Sequence, residues 1–264
     1  MAKCNQSMEY EIMSMLPSKG VVYICGAGPG DPGLITVRCL ELLKGCDIVL
    51  YDRLVSEEII SQVPAAIEKV YVGKSVGCSG QQSNINKIMI EYARQGKKVL
   101  RLKGGDPFIF GRGAEEAEFL RSKQIRFEII PGISSAIATP AYAGVPLTHR
   151  KYSSSVAITT GHEDPDKGFA RVNWKGLVKA VDTIVILMGI ERLPQIVRKL
   201  RDGGLSNKIN VIVIEAGTTN KQRYVYGRLD DILIKVKKAK IHSPGVIVIG
   251  EVTALCKRLA WFSR

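Results

Sequence analysis

The stretch Val21-Val22-Tyr23-Ile24-Cys25-Gly26-Ala27-Gly28-Pro29-Gly30-Asp31-Pro32-Gly33 decides the fold. It opens as a short apolar run, rich in β-formers, and stops in a glycine-dense loop. Such a run reads as the first buried strand of a parallel sheet. Residues 36–44 then show helical spacing, with Val37, Leu40 and Leu43 inward and Gly45 as a stop. The alternation continues with strands over 48–51, 69–72, 99–102 and 127–130 and helices over 85–94 and 114–122. Strand and helix in alternation specify α/β layers.

The pattern restarts further on. Strands are expected over 154–159, 183–188, 211–215 and 245–250, helices over 177–181, 193–201 and 230–236, and 218–226 continues into a strand pair. The expected organisation is an N-terminal extension (1–19), an α/β domain (20–131), a connecting region (132–148) and a second α/β domain (149–264).

Of 264 residues, 45% are hydrophobic and 24% charged, which gives a sizeable core and excludes a disordered chain. The net charge of +13 is unevenly spread. Residues 20–148 carry 15 basic and 13 acidic side chains, whereas 149–264 carry 21 and 10. A positive field in the second half favours a polyanionic partner, although the lysines at 235, 237, 238 and 240 read as solvated surface. Six cysteines form no C-x-x-C pair and only three histidines are present, so no metal site is expected. Unpaired thiols, no signal-peptide pattern and no long apolar run make the expectation a soluble cytoplasmic protein without a membrane partner. With 6% aromatic residues and no RNA- or DNA-binding motif, no nucleic-acid partner is expected, and a basic RNA-binding module is the alternative from charge alone.

Read from Gly28, the first loop satisfies G-x-G-x-x-G. Two features argue against a dinucleotide site. Pro29 and Pro32 remove N–H donors from the turn that would cradle pyrophosphate. Asp31 puts a carboxylate where phosphates would sit. The second loop, 104–113, reads Gly-Gly-Asp-Pro-Phe-Ile-Phe-Gly-Arg-Gly. Its glycines admit close backbone approach, Asp106 can accept hydrogen bonds or cap the next helix, and Arg112 can grip a carboxylate bidentately. Both loops follow strand carboxyl ends, where open α/β sheets bind ligands.

These segments, with V-L-Y-D-R-L-V-S, I-P-G-I-S-S-A, G-V-P-L-T-H-R, T-T-G-H and I-L-M-G, resemble the tetrapyrrole methylases from Val21 to Gly250, in the same order and with nearly constant spacing. The resemblance is to the branch acting on uroporphyrinogen III. It implies two α/β domains with an interdomain active-site cleft, a homodimer, and S-adenosylmethionine bound folded, leaving as S-adenosylhomocysteine, with no metal. The implied activity is methylation of uroporphyrinogen III at C2 and C7, giving precorrin-2 for siroheme, cobalamin and related cofactors. On this length, the added modules of a siroheme synthase are not expected. A later corrin-pathway enzyme such as precorrin-4 methyltransferase, and a regulatory S-adenosylmethionine sensor, are the alternatives.

Carried over from the family, the cofactor would meet Pro29, Gly104, Gly105, Asp106, Ile109, Ser134, Ser135, Met188 and Gly217. Without the resemblance, Met188 reads as core at a strand end. Asp52 and Lys74 match the family's proton acceptor and donor, although from sequence alone Asp52 reads equally as a turn carboxylate beside Arg53. Arg112, His149 and Arg150 are candidates for the polycarboxylate substrate. One departure stands out. Family members usually continue G-K-R-x-G-x-H-x-x-x-Q-x-E-I-N, whereas residues 73–86 are one residue shorter and lack both the Arg and the His.

Overall fold

Strand β1 (Val21–Gly26) lies inside a five-stranded parallel sheet of order β3-β2-β4-β1-β5. The computed structural model describes residues 20–73, 81–162 and 172–262. Its contacts divide the chain into two units, 20–28 with 35–132, and 29–34 with 133–262.

In the first unit, β2 (Ile48–Tyr51) and β4 (Lys98–Lys103) are adjacent, with β3 (Glu68–Tyr71) and β5 (Arg126–Ile130) at the edges. Alternate residues of the inner strands bury on opposite faces, as the two-residue period of a strand requires. Val22, Ile24, Leu50 and Val99 pack with Met89 of helix α3 (Gln81–Arg94) and Leu120 of α4 (Gly113–Ser122). Cys25, Val49, Leu100 and Leu102 pack with Leu42 of α1 (Val37–Gly45) and Ile59 of α2 (Glu57–Ile60). Thr36 caps α1, its hydroxyl accepting from the Cys39 N–H at 3.2 Å. The inward face of α1 is Cys39, Leu42 and Leu43, not the expected Val37-Leu40-Leu43 stripe, and Val37 is 74% exposed. Cysteine packs as a small hydrophobe, and that shifts the stripe around the helix.

The second unit holds a sheet of order β6-β7-β10-β8-β9. Its strands are β6 (Val156–Thr160), β7 (Thr183–Leu187), β8 (Asn210–Glu215), β9 (Arg223–Arg228) and β10 (Gly245–Ile249). Only β6 and β7 pair in parallel; β10 runs antiparallel to β7 and β8, and β8–β9 is a hairpin. Helices α6 (Trp174–Ala180), α7 (Leu193–Asp202) and α8 (Ile232–Ala239) cover one face through Trp174, Leu193, Ile196, Leu200 and Ile232. The other face meets α5 (Ser135–Tyr142), and Val252 and Cys256 near the C-terminus, where α9 (Cys256–Leu259) begins. Helix α5 falls inside the segment read as a connection. Among the described residues, no helix is long and apolar enough to cross a membrane.

Candidate functional site

Three strand ends meet in the first unit. Gly28 and Gly105 form an isolated bridge, the Gly105 N–H donating to the Gly28 carbonyl at 2.7 Å. A Cβ on Gly26 would lie 2.5 Å from the Gly105 oxygen and 2.7 Å from the Gly132 nitrogen, so glycine is needed where the ends of β1, β4 and β5 touch. Asp106 ties this junction together. One carboxylate oxygen accepts from the Phe108 N–H at 2.8 Å, the other from the Gly132 N–H at 3.1 Å. It does not cap α4, whose N-cap position is Arg112 in a left-handed conformation. Ile109 is exposed beside it.

Asp52 follows β2, the neighbour of β4. One oxygen accepts from the Leu54 N–H at 3.1 Å and the other from Arg101 Nη2 at 3.1 Å. Its cationic partner is therefore Arg101, not Arg53. Leu54 also packs on the cofactor-loop candidate Gly104, where a Cβ would lie 2.6 Å from that of Leu54. Arg101 in turn donates through Nε to Glu116 Oε1 at 3.2 Å, and Lys103 Nζ meets the same oxygen at 3.1 Å. Burial pulls the Lys103 ammonium below the usual lysine range, and the Arg101 charge adds to this, against the opposing pull of Glu116. Sequence reasoning missed Arg101, Lys103 and Glu116. A signal was present, because cations two residues apart in an inner parallel strand share a covered face and require an acid on the helix above.

Arg112 forms an ion pair with Glu115, Nε to Oε2 at 3.0 Å, at the N-terminus of α4.

In the second unit, the 29–34 segment is fastened by Asp31. Its N–H donates to Thr218 Oγ1 at 3.2 Å, and its carboxylate accepts from the Tyr142 hydroxyl at 3.0 Å and the Gly33 N–H at 2.8 Å. The Asp31 carboxylate closes the loop on itself and on Tyr142, which is no cradle for pyrophosphate. Pro29 opens this segment. Met188 directly follows β7, at φ 54°, and is 50% exposed, so the core reading is corrected. Ala216 and Thr218 flank Gly217 with φ of 47° and 68°. A Cβ on Gly217 would lie 2.7 Å from that of Thr139, so this loop is pressed onto α5. Ser134 caps α5 through the Ala136 N–H at 3.2 Å, and Ser135 is its first residue. The His149 ring stacks on Tyr152 with centroids 4.8 Å apart, and its Nδ1 accepts from the Lys151 N–H at 3.1 Å. Arg150 is exposed in the same turn. Lys74 lies outside the described residues. Among the described residues, no cluster of three or more His, Cys, Asp or Glu side chains is placed to hold a metal ion.

Two α/β units with glycine-tight strand-end loops, the first loop closed by Asp31, define a class of fold distinct from the dinucleotide-binding folds. The chain belongs to the tetrapyrrole (corrin/porphyrin) methylases, whose family profile matches residues 21–233. It is 46% identical over 244 residues to a uroporphyrinogen-III C-methyltransferase of Bacillus subtilis, covering 92% of this chain and 95% of that protein. A solved uroporphyrin-III C-methyl transferase from Thermus thermophilus, complexed with S-adenyl homocysteine, superposes with a TM-score of 0.77 at 36% identity, covering 89% of this chain and all of that one (100%). A cobalt precorrin-4 methyltransferase superposes with a TM-score of 0.80 at 28% identity, covering 90% of this chain and 99% of that one. The fold is common to both activities, and the sequence lies nearer the uroporphyrinogen-III enzymes.

Proposed function

We propose that the chain transfers methyl groups from S-adenosylmethionine to C2 and C7 of uroporphyrinogen III, giving precorrin-2 and two molecules of S-adenosylhomocysteine. One observation carries the reading. Leu54, two residues after Asp52, is packed on Gly104, so a partly exposed carboxylate and a glycine loop fit for close ligand approach are joined on adjacent strand ends. The 46% identity to a named uroporphyrinogen-III C-methyltransferase supports the substrate, against the 28% to the later corrin enzyme.

S-adenosylmethionine fits the donor set. Gly105 offers backbone that carries no side chain, Gly104 is covered by Leu54 where its Cβ would be, and Asp106 offers a carboxylate to an amine. Ile109 and Met188 present exposed apolar surface, with Pro29, Ser134, Ser135 and Gly217 as further contacts. When bound, it supplies an electrophilic methyl group. Asp52 stabilises the positive charge that develops on the attacked macrocycle and accepts the proton lost afterwards. Lys74 is the proton donor in this reading. Arg112, His149 and Arg150 orient substrate carboxylates, Arg112 exchanging Glu115 for the ligand. The enzyme works as a cytoplasmic homodimer, independent of metal, membrane and nucleic acid.

Anaerobic incubation of the purified protein with uroporphyrinogen III and S-adenosylmethionine, read by mass spectrometry, tests the activity. A gain of two methyl groups is expected. Bound S-adenosylmethionine with no methyl gain on this substrate would assign the chain to a later corrin step or to ligand sensing. Asp52→Ala should slow turnover about a hundredfold with little change in cofactor affinity.

A further inference from the structure

The first sheet contains a buried charge arrangement beside Asp52. The charged residues buried among those described are Arg101, Lys103 and Glu116, with exposures of 3%, 5% and 0%. All three belong to one chain of contacts, and that chain ends on Asp52, whose side chain is 22% exposed. Val99, two residues before Arg101 on the same strand face, fills its place in that layer with an aliphatic side chain. Buried ion pairs are seldom more stabilising than apolar residues of the same volume, so these charges call for a role beyond stability.

The geometry supplies one. Every nitrogen of the Arg101 guanidinium is used: Nη2 on Asp52 Oδ2 at 3.1 Å, Nε on Glu116 Oε1 at 3.2 Å, and Nη1 on the Leu102 carbonyl at 3.0 Å. A planar fork held at three points cannot rotate. It therefore fixes one oxygen of Asp52 while the Leu54 N–H fixes the other at 3.1 Å. Lys103, on the same oxygen of Glu116, balances the second cation–anion pair and keeps Glu116 over the strand.

We propose that Arg101 is a positioning residue for methyl transfer: it sets the orientation of the Asp52 carboxylate, and Glu116 with Lys103 anchors Arg101. This rests on the reading of Asp52 as the proton acceptor. Lysine at 101 would keep the charge but could not reach Asp52, Glu116 and the Leu102 carbonyl together.

The test is single-turnover methyl transfer to uroporphyrinogen III by the full chain and its Arg101→Lys, Asp52→Ala and double variants. S-adenosylhomocysteine affinity and the KM for uroporphyrinogen III are measured alongside. Arg101→Lys should lose about a hundredfold in rate, as a misplaced catalytic group does, while affinity and KM stay within about threefold. The double variant should be no slower than Asp52→Ala alone. The variant R101M/K103M/E116M removes the buried charges together, leaves no lone ion in the core, and should show the same loss. The proposal is overturned if Arg101→Lys or the triple variant keeps the parent rate, if the two single losses multiply, or if the loss appears only as weaker S-adenosylhomocysteine binding. An Asp52→Ala variant at the parent rate would instead remove the reading of Asp52 itself, and the inference with it.

Discussion

Asp106 holds its loop in place, and in the proposed function it also meets the cofactor. Both of its oxygens already hold backbone N–H groups, so the loop is fixed before any ligand arrives. Asp106→Ala should therefore lower stability by about 1–3 kcal/mol, the cost of leaving donors unmet, and weaken S-adenosylhomocysteine binding by at least tenfold in calorimetry. An unchanged affinity would confine Asp106 to loop architecture. At this scale the sequence was legible where a residue type is rare and tied to a turn, as in Gly104-Gly105-Asp106-Pro107. At Arg101 the signal was present and was overlooked. The stretch Leu100 to Lys103 alternates apolar and charged residues, and alternation ordinarily means a solvated strand face. Only the helices on both sides of the sheet turn that face inward, and they are set by residues far away in the chain. Asp31 shows the reverse case. Its unsuitability beside a phosphate was readable, but its partners Tyr142 and Thr218 were not.

Single elements were readable where one face is apolar and the other wet. Helix α4 and strands β2 and β7 sit within a residue or so of their expected limits. Helix α5 was missed for a local reason. It is short, rich in alanine, and carries Pro140 inside it, so neither its period nor its stop signals stand out. Yet α5 is the element on which the Ala216–Thr218 loop rests, through the contact of Gly217 with Thr139. Gly217→Ala has no room to relax there. It should cost about 1–3 kcal/mol by overpacking, read as a lower denaturation midpoint at constant slope. A midpoint equal to the parent's would mean that α5 and the loop yield to each other.

For the whole molecule, charge sets two expectations. Lys103 is held below the ordinary lysine value of about 10.4. The unfolded chain binds that proton more tightly than the folded one, so the penalty is full at lower pH and fades as pH rises toward about 10.4. The stability of the parent relative to Lys103→Met should therefore increase with pH across the alkaline range, and a constant difference would mean that Lys103 titrates normally. The second expectation concerns approach. With 21 basic against 10 acidic residues in 149–264, capture of a polycarboxylate should be steered by the field. Raising ionic strength from about 0.05 to 0.5 M should lower kcat/KM several-fold with kcat nearly constant. A flat response would limit recognition to short-range contacts.

Among the described residues, seven non-glycine residues adopt left-handed backbone, and they divide into two groups. Phe110, Arg112, Met188, Ala216 and Thr218 lie on strand-end loops, whereas Gln124 and Lys240 lie just past the C-terminal ends of α4 and α8. Each departs from the preferred backbone of an L-residue by about 1 kcal/mol or more. At Gln124 and Lys240 no ligand contact is proposed, and glycine would release that energy. An engineer seeking a more heat-resistant enzyme would begin with those two helix ends. The other five hold the strand-end loops in their shape at that cost, and the proposed site lies on those loops.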